Sequence, residues 1–162
     1  QLPMQSFNMA ITTFVGQNIG AKKYDRVKKG VFAAWLMSSG VILVCSICIF
    51  SAAPFLISIF TKDAEVIAIG SGMERIFSAC YLVLPVVQIL NGALRGAGLS
   101  KIPMYFMLGS FVVLRQIYLM IAVPMTNDVN VVMAGWPITW IICAIGMAVY
   151  YFKSDWLKKY EV

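Results

Sequence analysis

Phe14-Val15-Gly16-Gln17-Asn18-Ile19-Gly20-Ala21, followed at once by Lys22-Lys23-Tyr24-Asp25-Arg26-Val27-Lys28-Lys29-Gly30, decides how this chain folds. The stretch holds five Lys/Arg and one Asp, whereas residues 1–21 and 30–61 contain no Lys, Arg, Asp or Glu. Two uncharged apolar segments joined by a short basic loop are the pattern of a membrane protein where its chain turns in the cytoplasm. Gly16, Gly20 and the polar pair Gln17-Asn18 make the helix end more specific than a generic membrane hairpin.

Composition extends the same reading. The 162 residues are 60% hydrophobic and 12% charged, with a mean hydropathy of +0.83. A soluble domain carries about twice that charge fraction, and a bilayer is crossed by roughly 20 apolar residues. The formal net charge is +6. The basic residues punctuate apolar runs and form no continuous polar face, so a nucleic-acid partner is excluded. The chain lacks His, which removes His-based triads, general bases and zinc sites. Cys45 and Cys48 have CxxC spacing but lie deep in an apolar run, where small buried side chains are expected and a redox centre is not. No nucleophile–base pair or metal-ligand cluster points to an enzyme, and no cofactor is expected. The apolar start, without initiator Met or signal-peptide pattern, leads us to expect a piece of a longer polypeptide.

The expected fold class is an all-α integral membrane protein of five transmembrane helices. They span about 3–20, 31–60, 64–95, 102–123 and 131–152, followed by a cytoplasmic tail over 153–162. Gly96-Ala97-Gly98 ends the third helix, and Pro103 opens the fourth. Residues 124–130 form a turn cluster, and the tail carries an interfacial tryptophan, Trp156. In an alternating topology Lys22, Lys23, Arg26, Lys28, Lys29, Arg95, Lys101, Lys153, Lys158 and Lys159 fall on one side of the membrane, and only Lys62 falls on the other. That ten-to-one split places the basic turns and the C-terminus in the cytoplasm and the first residue outside. A cytoplasmic N-terminus then needs an odd number of helices upstream.

Candidate functional residues lie on two stripes. Glu74, Ser78, Tyr81, Gln88 and Asn91 share one face of the third helix at about 3.6 residues per turn, with Pro85 on the same stripe. Pro85 frees the Tyr81 carbonyl and weakens the helix there. Such groups survive in lipid only against protein or a wet cavity, so the stripe is either a cavity-lining, bending helix or polar packing between helices. Gln5, Asn8, Thr12 and Gly16 form a weaker stripe on the first helix, open to the same two readings. Arg115 lies past the bilayer midplane, where a charge usually has a partner. Glu74 is the candidate partner, with a substrate role and snorkelling as alternatives. Gly16/Gly20 and Gly92/Gly96 have GxxxG spacing, which permits close helix packing or marks helix ends.

The run from Gln5 to Ala21 resembles the eighth transmembrane helix of multidrug and toxic compound extrusion (MATE) transporters. That helix typically ends in Val-Gly-Gln-x-x-Gly-Ala before a basic loop. Gly92-Ala93-Leu94-Arg95-Gly96-Ala97-Gly98, then Pro103-Met104, is similar to the family's turn between helices ten and eleven. Asp63-Ala64-Glu65-Val66-Ile67 resembles the start of helix ten, and Arg115 matches a basic residue common in helix eleven. The resemblance covers essentially the whole chain. It implies helices eight to twelve of a twelve-helix, two-lobe antiporter in the cell membrane, lacking here its N-terminal lobe and helix seven. It also implies export of amphipathic or cationic small molecules in exchange for sodium ions or protons. Of the family's coupling carboxylates, in helices one, seven and ten, the first two are absent. Glu74 is the only internal carboxylate of the tenth-helix equivalent, sits near its outer end, and is not aligned with the coupling acid.

Two alternatives accompany the antiporter. A lipid-linked oligosaccharide flippase of the same superfamily calls for a more cationic cavity than these mostly neutral stripes provide. A non-transporting truncated fragment or assembly partner would show a start codon directly upstream. The fragment alone is not expected to transport.

Overall fold

The computed structural model describes residues 2–125, 129–157 and 160. Among them the chain is a bundle of five long helices with no strand. The first is α1 (Leu2–Gly20) and the second α2 (Tyr24–Ser58). The third is broken into α3 (Ala64–Cys80), a 3₁₀ turn (Tyr81–Val83) and α4 (Leu84–Gly96). The fourth comprises α5 (Lys101–Leu108), a π-helical stretch (Gly109–Leu114) and α6 (Arg115–Met125). The fifth is α7 (Val129–Lys153). The second to fifth are long and apolar enough to cross a membrane. At 19 residues α1 is long enough, but Gln5, Asn8, Thr12, Gln17 and Asn18 make it more polar.

The basic loop is much shorter than the sequence implies. The second helix begins at Tyr24 rather than 31, so Arg26, Lys28 and Lys29 belong to its first two turns. Lys and Arg are good helix formers and need no loop to reach water. Only Ala21, Lys22 and Lys23 separate α1 from α2. They close a Schellman motif in which Lys23 N–H bonds to Asn18 O at 2.8 Å and Lys22 N–H to Ile19 O at 2.9 Å. The left-handed residue at its C′ position is Lys22, with φ 56°, whereas Gly20 remains inside the helix facing open space. Gly20 is therefore not the terminator that the sequence pattern allows. The turn after α4 repeats the motif with the usual residue. Gly98 has φ +77°, and Leu99 N–H bonds to Leu94 O and Gly98 N–H to Arg95 O, both at 2.9 Å.

Three other boundaries differ. Tyr81–Val83 tightens into a 3₁₀ turn just before Pro85, as expected where a ring removes an amide donor. The fourth helix carries the π-helical stretch, which no sequence signal announced, and runs through Pro124 to Met125 where a turn was expected. A proline in the last turn leaves one carbonyl free at an exposed helix end, which is tolerable. Residues 126–128 of the turn cluster, and Lys158 and Lys159 of the tail, lie outside the described residues. Asp63 caps α3 by accepting from Glu65 N–H at 2.9 Å.

The core sits around α4. Nine of its 13 residues are buried, against two of 17 in α3. Val87, Ile89, Ala93 and Leu94 pack on Ile11 and Val15 of α1, Val27 and Val31 of α2, and Cys143 and Met147 of α7. A smaller cluster of Met4, Ile42 and Leu84, flanked by Tyr81 and Trp140, lies beside the 3₁₀ turn.

Candidate functional site

The two sequence stripes meet in part. Asn8 of α1 is buried, and its amide donates to Gln88 O at 2.7 Å and Gln88 Oε1 at 3.2 Å. Thr12 Oγ1 donates to Asn8 O at 2.7 Å, one helical turn back. Glycine makes this contact possible. A methyl group built at Gly92 would lie 2.5 Å from Ile11 Cγ2 and 2.7 Å from Asn8 O, and one at Gly16 would lie 3.3 Å from Gly96 O. One at Gly96 would collide with Thr12 O. Gly16, Gly92 and Gly96 thus let the backbones of α1 and α4 touch, as small-residue membrane interfaces do. Gly20 and Gly98 take no part in it.

The stripe on the third helix is not continuous in space. A 3₁₀ residue advances about 120° against about 100° in an α-helix, so three of them rotate the face by roughly 60°. Below the turn, Gln88 meets α1, and the buried Asn91 donates to Met107 Sδ at 3.0 Å. At the start of the turn itself, Tyr81 packs on Trp140 of α7 with ring centroids 5.6 Å apart. Ser78 is buried but bonds only within its own helix, to Arg75 O at 2.9 Å. Glu74 is half-buried, Pro85 is buried, and Gln5 is exposed, away from the Asn8 contact.

Arg115 does not pair with Glu74. Its guanidinium lies 3.2 Å from the centroid of Trp136, over the ring face. A cation–π contact is worth about 0.5–2 kcal/mol, rising with desolvation, and it supplies the partner that the sequence reading sought from a carboxylate. Trp136, Trp140, Phe77 and Tyr81 form a chain of ring contacts along α3 and α7. The four-residue spacing of Trp136 and Trp140, which puts both on one helix face, was the signal available for it.

A cavity of about 740 Å³ lies elsewhere, between the basic ends of α2 and α7 and the first two turns of α4, and none of the stripe residues lines it. Trp35, Val86, Leu90 and Ala148 form its walls, and Lys28 and Trp156 lie at its mouth. The tail closes one side. Trp156, which the sequence placed in the interface, is 6% exposed and packs on Tyr151 at 5.3 Å. Tyr24 donates its hydroxyl to Tyr160 O, and Tyr160 donates to Ala97 O, tying the tail to the ends of α2 and α4.

These features define an all-helical, multi-pass membrane protein whose central helix is broken and pinned through glycines to its neighbour. The MatE family model matches residues 1–121. The chain belongs to the MatE family. It is 32% identical over 103 residues to the probable multidrug resistance protein NorM of Thermotoga maritima, covering 64% of this chain and 22% of that protein. It is 28% identical over 102 residues to the probable multidrug resistance protein YoeA of Bacillus subtilis, covering 60% and 21%. The multidrug and toxin extrusion protein 1 of Xenopus tropicalis is 24% identical over 152 residues, covering 91% and 26%. The chain thus spans about a quarter or less of these relatives' length.

Proposed function

We propose that this chain serves as the C-terminal part of a secondary transporter that expels amphipathic or cationic small molecules in exchange for sodium ions or protons. The observation that carries this reading is the broken helix. Its α4 half is locked to α1 by the Gly92–Asn8 approach and the Asn8–Gln88 bonds, while its α3 half packs on α2 and α7. A helix locked to α1 through one half, with α2 and α7 packed on both halves of a proline-weakened turn, suits the rocking of lobes by which such transporters alternate access. The names of the relatives, multidrug resistance and multidrug and toxin extrusion, support the same reading. So does their length, which is compatible with an N-terminal lobe of the same polypeptide as partner. The positive-inside distribution supports a cell-membrane orientation with the basic helix ends and C-terminus in the cytoplasm. The mostly neutral stripes lack the basic side chains that the anionic head groups of a flippase call for, which favours the antiporter.

The test is efflux of ethidium from cells expressing the uninterrupted polypeptide that contains this sequence. Pro85→Ala and Gln88→Ala are expected to lower efflux at unchanged membrane abundance. Unchanged efflux in both would remove the broken helix from the mechanism.

A further inference from the structure

We propose that Ser46 of α2 is a latch for the broken helix: in a second position of α3, its hydroxyl donates to the backbone carbonyl that the 3₁₀ turn leaves short of an amide. The carbonyl follows from a count of donors. Tyr81 N–H bonds to Phe77 O, and Leu84 N–H bonds to Tyr81 O. Pro85 has no N–H. The carbonyls of Ser78, Ala79 and Cys80 are therefore left with two backbone amides within helical reach, those of Leu82 and Val83. Three acceptors on two donors leave one carbonyl unbonded or sharing a bifurcated amide.

The donor stands at the same level. α2 and the third helix run antiparallel, with Ile57 against Gly70, Phe50 under the Arg75 guanidinium and Ile42 in one cluster with Leu84. Ser46 follows Ile42 by one turn on the same face, and this register sets it level with Cys80. Ser46 is buried, and its Oγ has no hydrogen-bond partner among the described residues. The buried hydroxyls of Ser71, Ser78 and Thr139 all bond to carbonyls three or four residues back in their own helices, a bond that Ser46 does not take. Inside a membrane, serine hydroxyls are among the groups that satisfy carbonyls freed at proline breaks. The bond is not made in this structure, so it belongs to an arrangement in which α3 leans toward α2 with the 3₁₀ turn as pivot. Ser38, one turn to the other side of Ile42, is also buried without a partner. It stands level with Gln88, whose two oxygens already accept from Asn8, and is the matched control. The latch stands on this geometry alone, whereas any effect on efflux rests on the transport reading.

The test uses the uninterrupted polypeptide that contains this sequence, in lipid nanodiscs, with nitroxides at Leu2 of α1 and Val66 of α3, both exposed. Labels carried on p-acetylphenylalanine leave the native cysteines in place. Val66 lies about 22 Å along the helix from Tyr81 at 1.5 Å per residue, so a change in kink of about 20° moves it by about 8 Å. Electron–electron distance measurements are expected to show two populations, the first matching this structure. Ser46→Ala should lower the ratio of the second to the first about threefold, the worth of an average hydrogen bond between membrane helices, while Ser38→Ala should leave it unchanged. Pro85→Ala restores the missing amide, and in that background Ser46→Ala should have no effect. Should Ser46→Ala fail to insert, Ser46→Thr against Ser46→Val, equal in shape, reads the hydroxyl alone. A single population, a ratio that ignores Ser46→Ala, an equal effect of Ser38→Ala, or a Ser46→Ala effect that persists beside Pro85→Ala would each overturn the latch. Ethidium efflux is followed in the same variants: a depleted second population at unchanged efflux would support the latch and remove the broken helix from the transport cycle.

Discussion

Gly92→Ala is the sharpest probe of how α1 and α4 meet. The added methyl would stand 2.7 Å from Asn8 O and 2.5 Å from Ile11 Cγ2. The isoleucine tip can swing aside, but the carbonyl is backbone and moves only with α1. Restoring an ordinary 3.4 Å contact needs about 0.7 Å of retreat. The same shift stretches the 2.7 Å Asn8–Gln88 bond to about 3.4 Å, near the limit of a useful hydrogen bond. Overpacking of this kind costs about 1–3 kcal/mol, and a hydrogen bond between membrane helices averages about 0.6 kcal/mol. Set against a helix-propensity gain of up to about 1 kcal/mol for Gly→Ala in a helix interior, the expected net loss is about 1–3 kcal/mol. Gly40→Ala is the control, because nothing lies within 4 Å of its would-be methyl, and helix propensity predicts a gain of up to about 1 kcal/mol there. Unfolding by SDS in mixed micelles, followed by helicity, separates the two variants by their midpoints. Coincident midpoints would show that α1 and α4 are not in backbone contact.

Asn8→Leu and Gln88→Leu in a double-mutant cycle should show a coupling of about 0.6–1.7 kcal/mol in the same unfolding assay; additive effects would mean that the amides do not bond. Lys22→Gly places at the C′ position the residue that its positive φ favours, and should raise stability by about 1 kcal/mol; a lower midpoint would count against the Schellman turn. Arg115→Lys keeps the charge but loses the planar stack, so the emission of Trp136 should shift in a chain where it is the only tryptophan. An unchanged spectrum would place the guanidinium away from the ring.

Apolar runs and charge punctuation made the membrane helices legible in the sequence, because lipid demands both regardless of how the helices pack. Boundaries were less legible. Arg26, Lys28 and Lys29 are at home in water or in a helix, so their charge marked a membrane side without marking where α2 begins. Pro85 announced a weak point in the third helix, but not the rotation that the 3₁₀ turn adds, and that rotation divides the stripe between α1 on one side and α7 on the other. The Glu74–Arg115 pair failed for a related reason. The sequence offered Arg115 a carboxylate partner, a substrate role or snorkelling, whereas the indole of Trp136 supplies a partner that a charge count does not contain. The cavity was invisible because it is made by three helices and a tail folded back on them, a tertiary arrangement with no local pattern.

The division of the broken helix also predicts where movement concentrates. Displacing α4 from α1 breaks contacts made by backbone atoms at Gly92 and Gly96, which have no side-chain freedom to absorb the shift. By contrast, α3 is mostly exposed and meets α7 through tilted aromatic rings that can slide. Between them lie three residues whose hydrogen bonding has already left the α-helical pattern ahead of Pro85. Relative motion of α3 and α4 is therefore expected at Tyr81–Val83, since α4 is held by α1, α2 and α7 together whereas the turn lacks a proline amide. The same reasoning assigns α4 the role of a fixed post and α3 that of the moving arm.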